Sequence, residues 1–148
     1  MSLEANIQKD LMAAMKAKDE AALRTIRAIK AAILIVKTDG SGIALNEEGE
    51  IKLLQKMVKQ RKDSLSIFEQ QGRTELAKIE RDEIEVIERY LPKQMSVEDI
   101  EVIVKNIIAE TGAAGMKDMG KVMGAANKAL AGQAEGAVIS GVVKKLLA

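Results

Sequence analysis

One proline constrains this chain more than any other feature. Pro92 is the only proline in 148 residues. Proline lacks the amide hydrogen that a helix interior needs, and it pushes the preceding residue out of the helical region. A helix arriving at Tyr90, the only tyrosine, therefore has to stop there. Ser96 opens a new helix, with Asp99 three residues on as a capping-box partner. The stretch Tyr90-Leu91-Pro92-Lys93-Gln94-Met95 separates long charged segments from shorter ones rich in Gly, Ala, Val and Met. The expectation is an N-terminal helical domain over 1–91, a joint over 92–95 and a small C-terminal domain over 96–148.

With aromatic content at 1%, any core must be aliphatic. Abundant Ala, Lys, Glu and Leu favour helix throughout. The fold class expected is all-α, a bundle of about four helices followed by three shorter ones. The net charge of +1 gives no global field toward nucleic acid or lipid. No apolar run approaches the roughly 20 residues of a membrane span, so no membrane partner is expected. The N-terminus carries no basic region followed by an apolar run, and there is no cysteine. These features set the expectation of a bacterial, cytoplasmic protein.

Histidine and cysteine are both absent. That excludes Ser-His-Asp and Cys-His nucleophilic sites and His/Cys metal sites. No Walker-type loop or dinucleotide fingerprint is present. No metal, cofactor or catalytic residue is expected, and chemistry would have to rest on Lys, carboxylates, Ser or Tyr90.

Taken in order, Ser2 caps a first helix to about Lys18 with Leu3, Ile7 and Leu11 on one face, which Met12 and Met15 widen. Asp19 caps a second, about 20–38, striped by Ile26, Ile29, Ile33 and Val36, with Leu23 and Leu34 to one side and Ile35 to the other. Thr38-Asp39-Gly40-Ser41-Gly42 is turn chemistry. Asn46 starts a third helix that runs to Gln71 and stops at Gly72. Its apolar face holds Leu54, Met57, Val58, Leu65 and Phe68, with Arg61 in the middle. That guanidinium must reach solvent or pair with a carboxylate of a neighbouring helix. Thr74 caps an acidic fourth helix, about 75–90, with Leu76, Ile79, Ile84, Val86 and Ile87 as its apolar face. Glu83 and Glu88 read as solvated surface. The tail predicts helices over 97–110, 118–131 and 135–147.

The best candidate surface lies in the tail. Lys117, Lys121 and Lys128 fall on one stripe at helical spacing, beside Gly120 and Gly124. Glycine inside a helix costs about 1 kcal/mol relative to Ala, so two of them need a reason. One reason is close approach of another backbone, either a neighbouring helix or a phosphodiester chain, which lysines would suit. Plain solvated surface is the competing reading. A second basic surface, Lys52, Lys56, Lys59 and Lys62, lies on the solvated face of the third helix, opposite its apolar one, and is open to the same two readings; the acidic fourth helix beside it offers charge complement, and Asp63 on the same stripe can pair with Lys59. Tyr90 reads as a packing pivot or, alternatively, a base-stacking ring.

The motifs Met1-Ser2-Leu3, Ala14-Met15-Lys16-Ala17-Lys18-Asp19, Lys59-Gln60-Arg61-Lys62-Asp63-Ser64, Tyr90-Leu91-Pro92-Lys93-Gln94-Met95 and Lys117-Asp118-Met119-Gly120-Lys121-Val122-Met123 resemble YqeY-like proteins, in the family's order and over essentially the whole chain. That family's later half is similar to the C-terminal tail domain of the B subunit of glutamyl/aspartyl-tRNA amidotransferase, which helps hold tRNA. The amidotransferase is a carbon–nitrogen ligase with glutamine as amido donor, but its catalytic parts have no counterpart here. The resemblance implies a two-part helical fold and tRNA or other structured RNA as partner. The family's frequent Arg and Asp between the last two helices are replaced by Gly132-Gln133-Ala134-Glu135-Gly136. Lys117, Lys121 and Lys128 then carry the expected contact. Two functions follow as expectations: a non-catalytic tRNA-binding accessory protein, or an adaptor docking on a larger amidotransferase or translation-related complex.

Overall fold

The computed structural model describes residues 2–40 and 45–148. Met1, and Ser41 and Gly42 of the expected turn, lie outside the described residues. Among those described, the regular structure is helical: α1 (Leu3–Ala17), α2 (Glu20–Thr38), α3 (Glu47–Gln70), α4 (Thr74–Glu88), α5 (Val97–Thr111), a 3₁₀ turn (Met116–Asp118), α6 (Met119–Ala129) and α7 (Gly136–Leu147). The fold is all-α.

Helix starts follow side-chain capping chemistry. Ser2 Oγ accepts from the Ala5 amide at 3.2 Å and Asp19 Oδ1 from the Ala22 amide at 3.1 Å. Asn46 Oδ1 accepts from the Gly49 amide at 2.8 Å and Ser96 Oγ from the Asp99 amide at 3.2 Å. Each satisfies one of the amide donors left unpaired in a first turn. The expected Thr74 cap is not formed. Thr74 is the first helical residue, and Arg73 occupies the cap position without a side-chain hydrogen bond. The chain arrives there through Gly72 at φ 69, a left-handed conformation that glycine takes without penalty.

The chain divides into two compact units, Met1–Leu91 and Pro92–Ala148. In the first, Leu3 and Ile7 of α1 join Ile26, Ile29 and Ile33 of α2, Leu54, Met57 and Val58 of α3, and Ile84, Val86 and Ile87 of α4 in one aliphatic core. Met12 and Met15 do not widen the α1 core face; both are exposed. Leu34 and Ile35 of α2 are also exposed, at 60% and 63%. In the second unit, Ile100 and Val104 of α5 pack with Val122 and Ala126 of α6, Leu130 beyond it, and Ile139, Val142 and Val143 of α7. The segment after the proline belongs to this unit. Gln94 Nε2 donates to the carbonyls of Pro92 at 3.0 Å and Gly132 at 2.7 Å. The Met95 amide donates to the Gln133 carbonyl at 2.9 Å. The loop between α6 and α7 is thereby tied to the stretch that opens the unit.

Candidate functional site

The tail lysines emerge on an exposed face, though not on one continuous helix. Lys117 sits in the 3₁₀ turn, whose i→i+3 geometry gives way to α6 only at Met119. Asp118 does not cap α6; its Oδ2 accepts from the Ala114 amide at 2.8 Å and closes the preceding loop. Lys121 and Lys128 belong to α6, and both are exposed together with Lys117, Gly120 and Gly124. Lys121 also has a structural role. Its Nζ donates to the Thr111 carbonyl at 3.1 Å, which satisfies one of the acceptors left open at the end of α5.

The surroundings of the two glycines bear on one of the readings open at the sequence level. A Cβ built on Gly120 or Gly124 would meet nothing within 4 Å, and neither backbone needs positive φ. Close packing of a neighbouring helix in this chain is therefore not their reason. They leave a strip of exposed helix backbone beside the lysines.

The lysines of the second basic surface lie on an exposed face of α3. Lys52 pairs with Glu48 one turn earlier at 3.0 Å, both largely exposed. Such a pair contributes a few tenths of a kcal/mol. Lys56 and Lys59 are exposed, and Lys62 has an interaction of its own.

The structure also assembles a polar centre in the first unit. Glu83 is buried rather than solvated. Its Oε1 accepts from Arg24 Nε of α2 at 2.8 Å and its Oε2 from Arg61 Nε of α3 at 3.0 Å. Arg61 Nη1 also donates to the Met57 carbonyl at 3.2 Å. One carboxylate of α4 thus joins three helices and satisfies the guanidinium expected to need a partner. Its neighbour Glu80, one turn earlier, has its carboxyl pushed above the usual range by burial and by the Glu83 charge, against the pull of Arg61 and Arg24. The sequence signals for this centre were Arg61 on the apolar face of α3 and Glu83 on that of α4, four residues after Ile79 and three before Val86; the expectation of solvated surface missed the second.

Tyr90 packs against the core of the first unit. Its hydroxyl donates to Asp10 Oδ2 of α1 at 2.6 Å, and burial with this bond holds the phenol well above its ordinary range. Among the described residues, no group of three or more His, Cys, Asp or Glu side chains is arranged to hold a metal ion. No helix described is long and apolar enough to cross a membrane.

These features define an all-helical protein of two compact units, with a lysine-bordered, backbone-exposing face on the second. The chain belongs to the YqeY-like protein family, whose model matches residues 4–147. It is similar to "Altered inheritance of mitochondria protein 41, mitochondrial" of Lachancea thermotolerans, 37% identical over 108 residues, covering 72% of this chain and 58% of the relative. The protein of the same name from Clavispora lusitaniae is 40% identical over 101 residues, covering 68% and 58%. That from Pyrenophora tritici-repentis is 30% identical over 130 residues, covering 86% and 71%. The chain thus spans 58% of the length of the first two relatives. These matches correct the expectation of a bacterial, cytoplasmic protein. The relatives come from eukaryotes and carry mitochondrial names, so the absence of cysteine and of a basic, apolar leader was no guide to compartment.

Proposed function

We propose that this chain is a non-catalytic RNA-binding accessory protein that takes tRNA or a similarly structured RNA on the exposed face of its second unit. The single observation that carries the reading is the open surface over Gly120 and Gly124 beside Lys117 and Lys128. Two helical glycines without a packing reason, bordered by cations, suit a sugar–phosphate backbone laid along α6. The resemblance of the tail to the tRNA-holding domain of the amidotransferase B subunit supports the same partner. Lys121 is a secondary contact, because its ammonium also holds the end of α5.

The test is fluorescence anisotropy of labelled bulk tRNA with the purified full chain over a salt series. Two to three phosphate contacts give a log–log salt slope of about −2 to −3. Lys117→Glu with Lys128→Glu should abolish binding while the helical circular dichroism is unchanged. Binding retained by that folded double variant removes the site. No binding by the native chain even at low salt removes the reading in favour of the adaptor, whose signature is a defined protein partner recovered despite nuclease treatment.

A further inference from the structure

The α3–α4 hairpin extends past the rest of its unit. From Lys59 through Asp82, Ala77 is the only buried residue. Along α4, Leu76, Ile79, Glu83, Val86 and Tyr90 recur at i, i+3, i+7, i+10 and i+14 and so form one stripe. Its C-terminal part is covered: Arg24 lies on Glu83, and Ala22 and Ile26 of α2 line the same pocket as Val86 and Tyr90. Its N-terminal part is not, and Leu76 and Ile79 stay 38% and 39% exposed. The half-buried Glu80 and the exposed Glu75 stand beside them. The arm therefore presents a partly exposed apolar strip with acidic flanks.

The outer face of α2 is its complement. Arg27, Ala31 and Leu34, at i, i+4 and i+7, are exposed on the side opposite the buried Ile26, Ile29 and Ile33. Ile35 extends the apolar strip. Lys30 and Lys37 already engage Gln8 and Glu4 of α1. Arg27 is then the cation matched to Glu80. An acidic, apolar strip disfavours a phosphate backbone, and a helix face of complementary character, apolar with a cation, is carried by the same unit.

We propose that the arm of one copy receives the outer face of α2 from a second copy, and that two copies exchange these contacts reciprocally. Under a two-fold axis each patch is used twice, so the assembly closes as a dimer and does not grow into a filament. This inference concerns the first unit and does not depend on RNA binding by the tail.

The experiment is sedimentation velocity of the full chain across a concentration series. The native chain should show a reversible monomer–dimer equilibrium. An arm variant, Leu76→Glu with Ile79→Glu, and a helix variant, Leu34→Glu with Ile35→Glu, should each be monomeric with native helical content. All four positions are exposed, so the changes spare the core. Mixed in equal amounts, the two variants should form dimers again, more weakly than the native chain, because one intact arm then meets one intact α2. Arg27→Gln and Glu80→Gln should each weaken the dimer several-fold, and the double variant no further. A native chain that stays monomeric up to roughly 100 µM, a concentration that would populate even a weak complex, overturns the proposal. So do variants that dimerise like the native chain, or a mixture that fails to recover dimer. Losses at Arg27 and Glu80 that simply multiply overturn their pairing.

Discussion

Replacing Glu83 with alanine tests the centre that joins α2, α3 and α4. The Glu83 side chain is 12% exposed, that of Arg61 18% and that of Arg24 44%. Removing one partner of a fully buried ion pair costs about 3–5 kcal/mol, and a charged hydrogen bond contributes about 1.5–3 kcal/mol. Arg61 retains its bond to the Met57 carbonyl and some access to water, which places its share near the lower figures, about 2 kcal/mol. The Arg24 limb is close to a surface pair and adds about 0.5 kcal/mol. The expected loss for Glu83→Ala is therefore about 2.5 kcal/mol. Tyr90 is the only tyrosine and there is no tryptophan, so intrinsic fluorescence during urea unfolding reports the first unit alone. With a slope of about 1–1.5 kcal/mol per molar urea, the midpoint should fall by roughly 2 M. Glu85→Ala is the control. Glu85 also pairs with an arginine, Arg89 at 3.6 Å, but both side chains are well exposed. Its loss should stay within about 0.5 kcal/mol. A Glu83 variant no less stable than the Glu85 variant would refute the argument, because burial would then confer no advantage on the shared carboxylate.

Two further outcomes follow from single residues. The ultraviolet absorbance of phenolate reports Tyr90 alone and should titrate well above 10.0 in the folded chain, because burial and the bond to Asp10 disfavour the anion. Its raised folded value means that the associated stability is fully present below the unfolded value and is lost as pH rises through and beyond it; Tyr90→Phe should flatten that alkaline loss, and an ordinary midpoint would show that the hydroxyl is not held by Asp10. Gly120→Ala and Gly124→Ala should each stabilise the second unit by up to about 1 kcal/mol, since the added methyl meets nothing. Calorimetry of the full chain checks this, and anisotropy with tRNA should show weaker binding by the same variants. Stabilisation with unchanged binding would mean that the bare strip is not a contact surface.

The sequence by itself determined the helices and most of their limits, because those are local matters. A lone proline, Asn46, Ser96 and Asp19 act through their own backbone neighbours, and apolar spacing at helical period marks the faces that became core. Glycine costs are local too, so Gly120 and Gly124 stood out before any fold was known. What tertiary structure decided was the use of each face. Met12 and Met15 share the spacing of core residues yet are exposed. Glu83 shares the spacing of the apolar stripe of α4, but only the arrival of Arg24 and Arg61 from two other helices gives its buried carboxylate partners. Leu76 and Ile79 continue the same stripe as Val86 and stay partly exposed, while α2 residues lie against Glu83, Val86 and Tyr90 further along α4. Lys121 looked equivalent to Lys117 and Lys128, but only the approach of α6 to the end of α5 gives it the Thr111 carbonyl to hold. Periodicity says which residues share a face. Which helix comes to cover that face depends on long-range packing, and no local pattern encodes it.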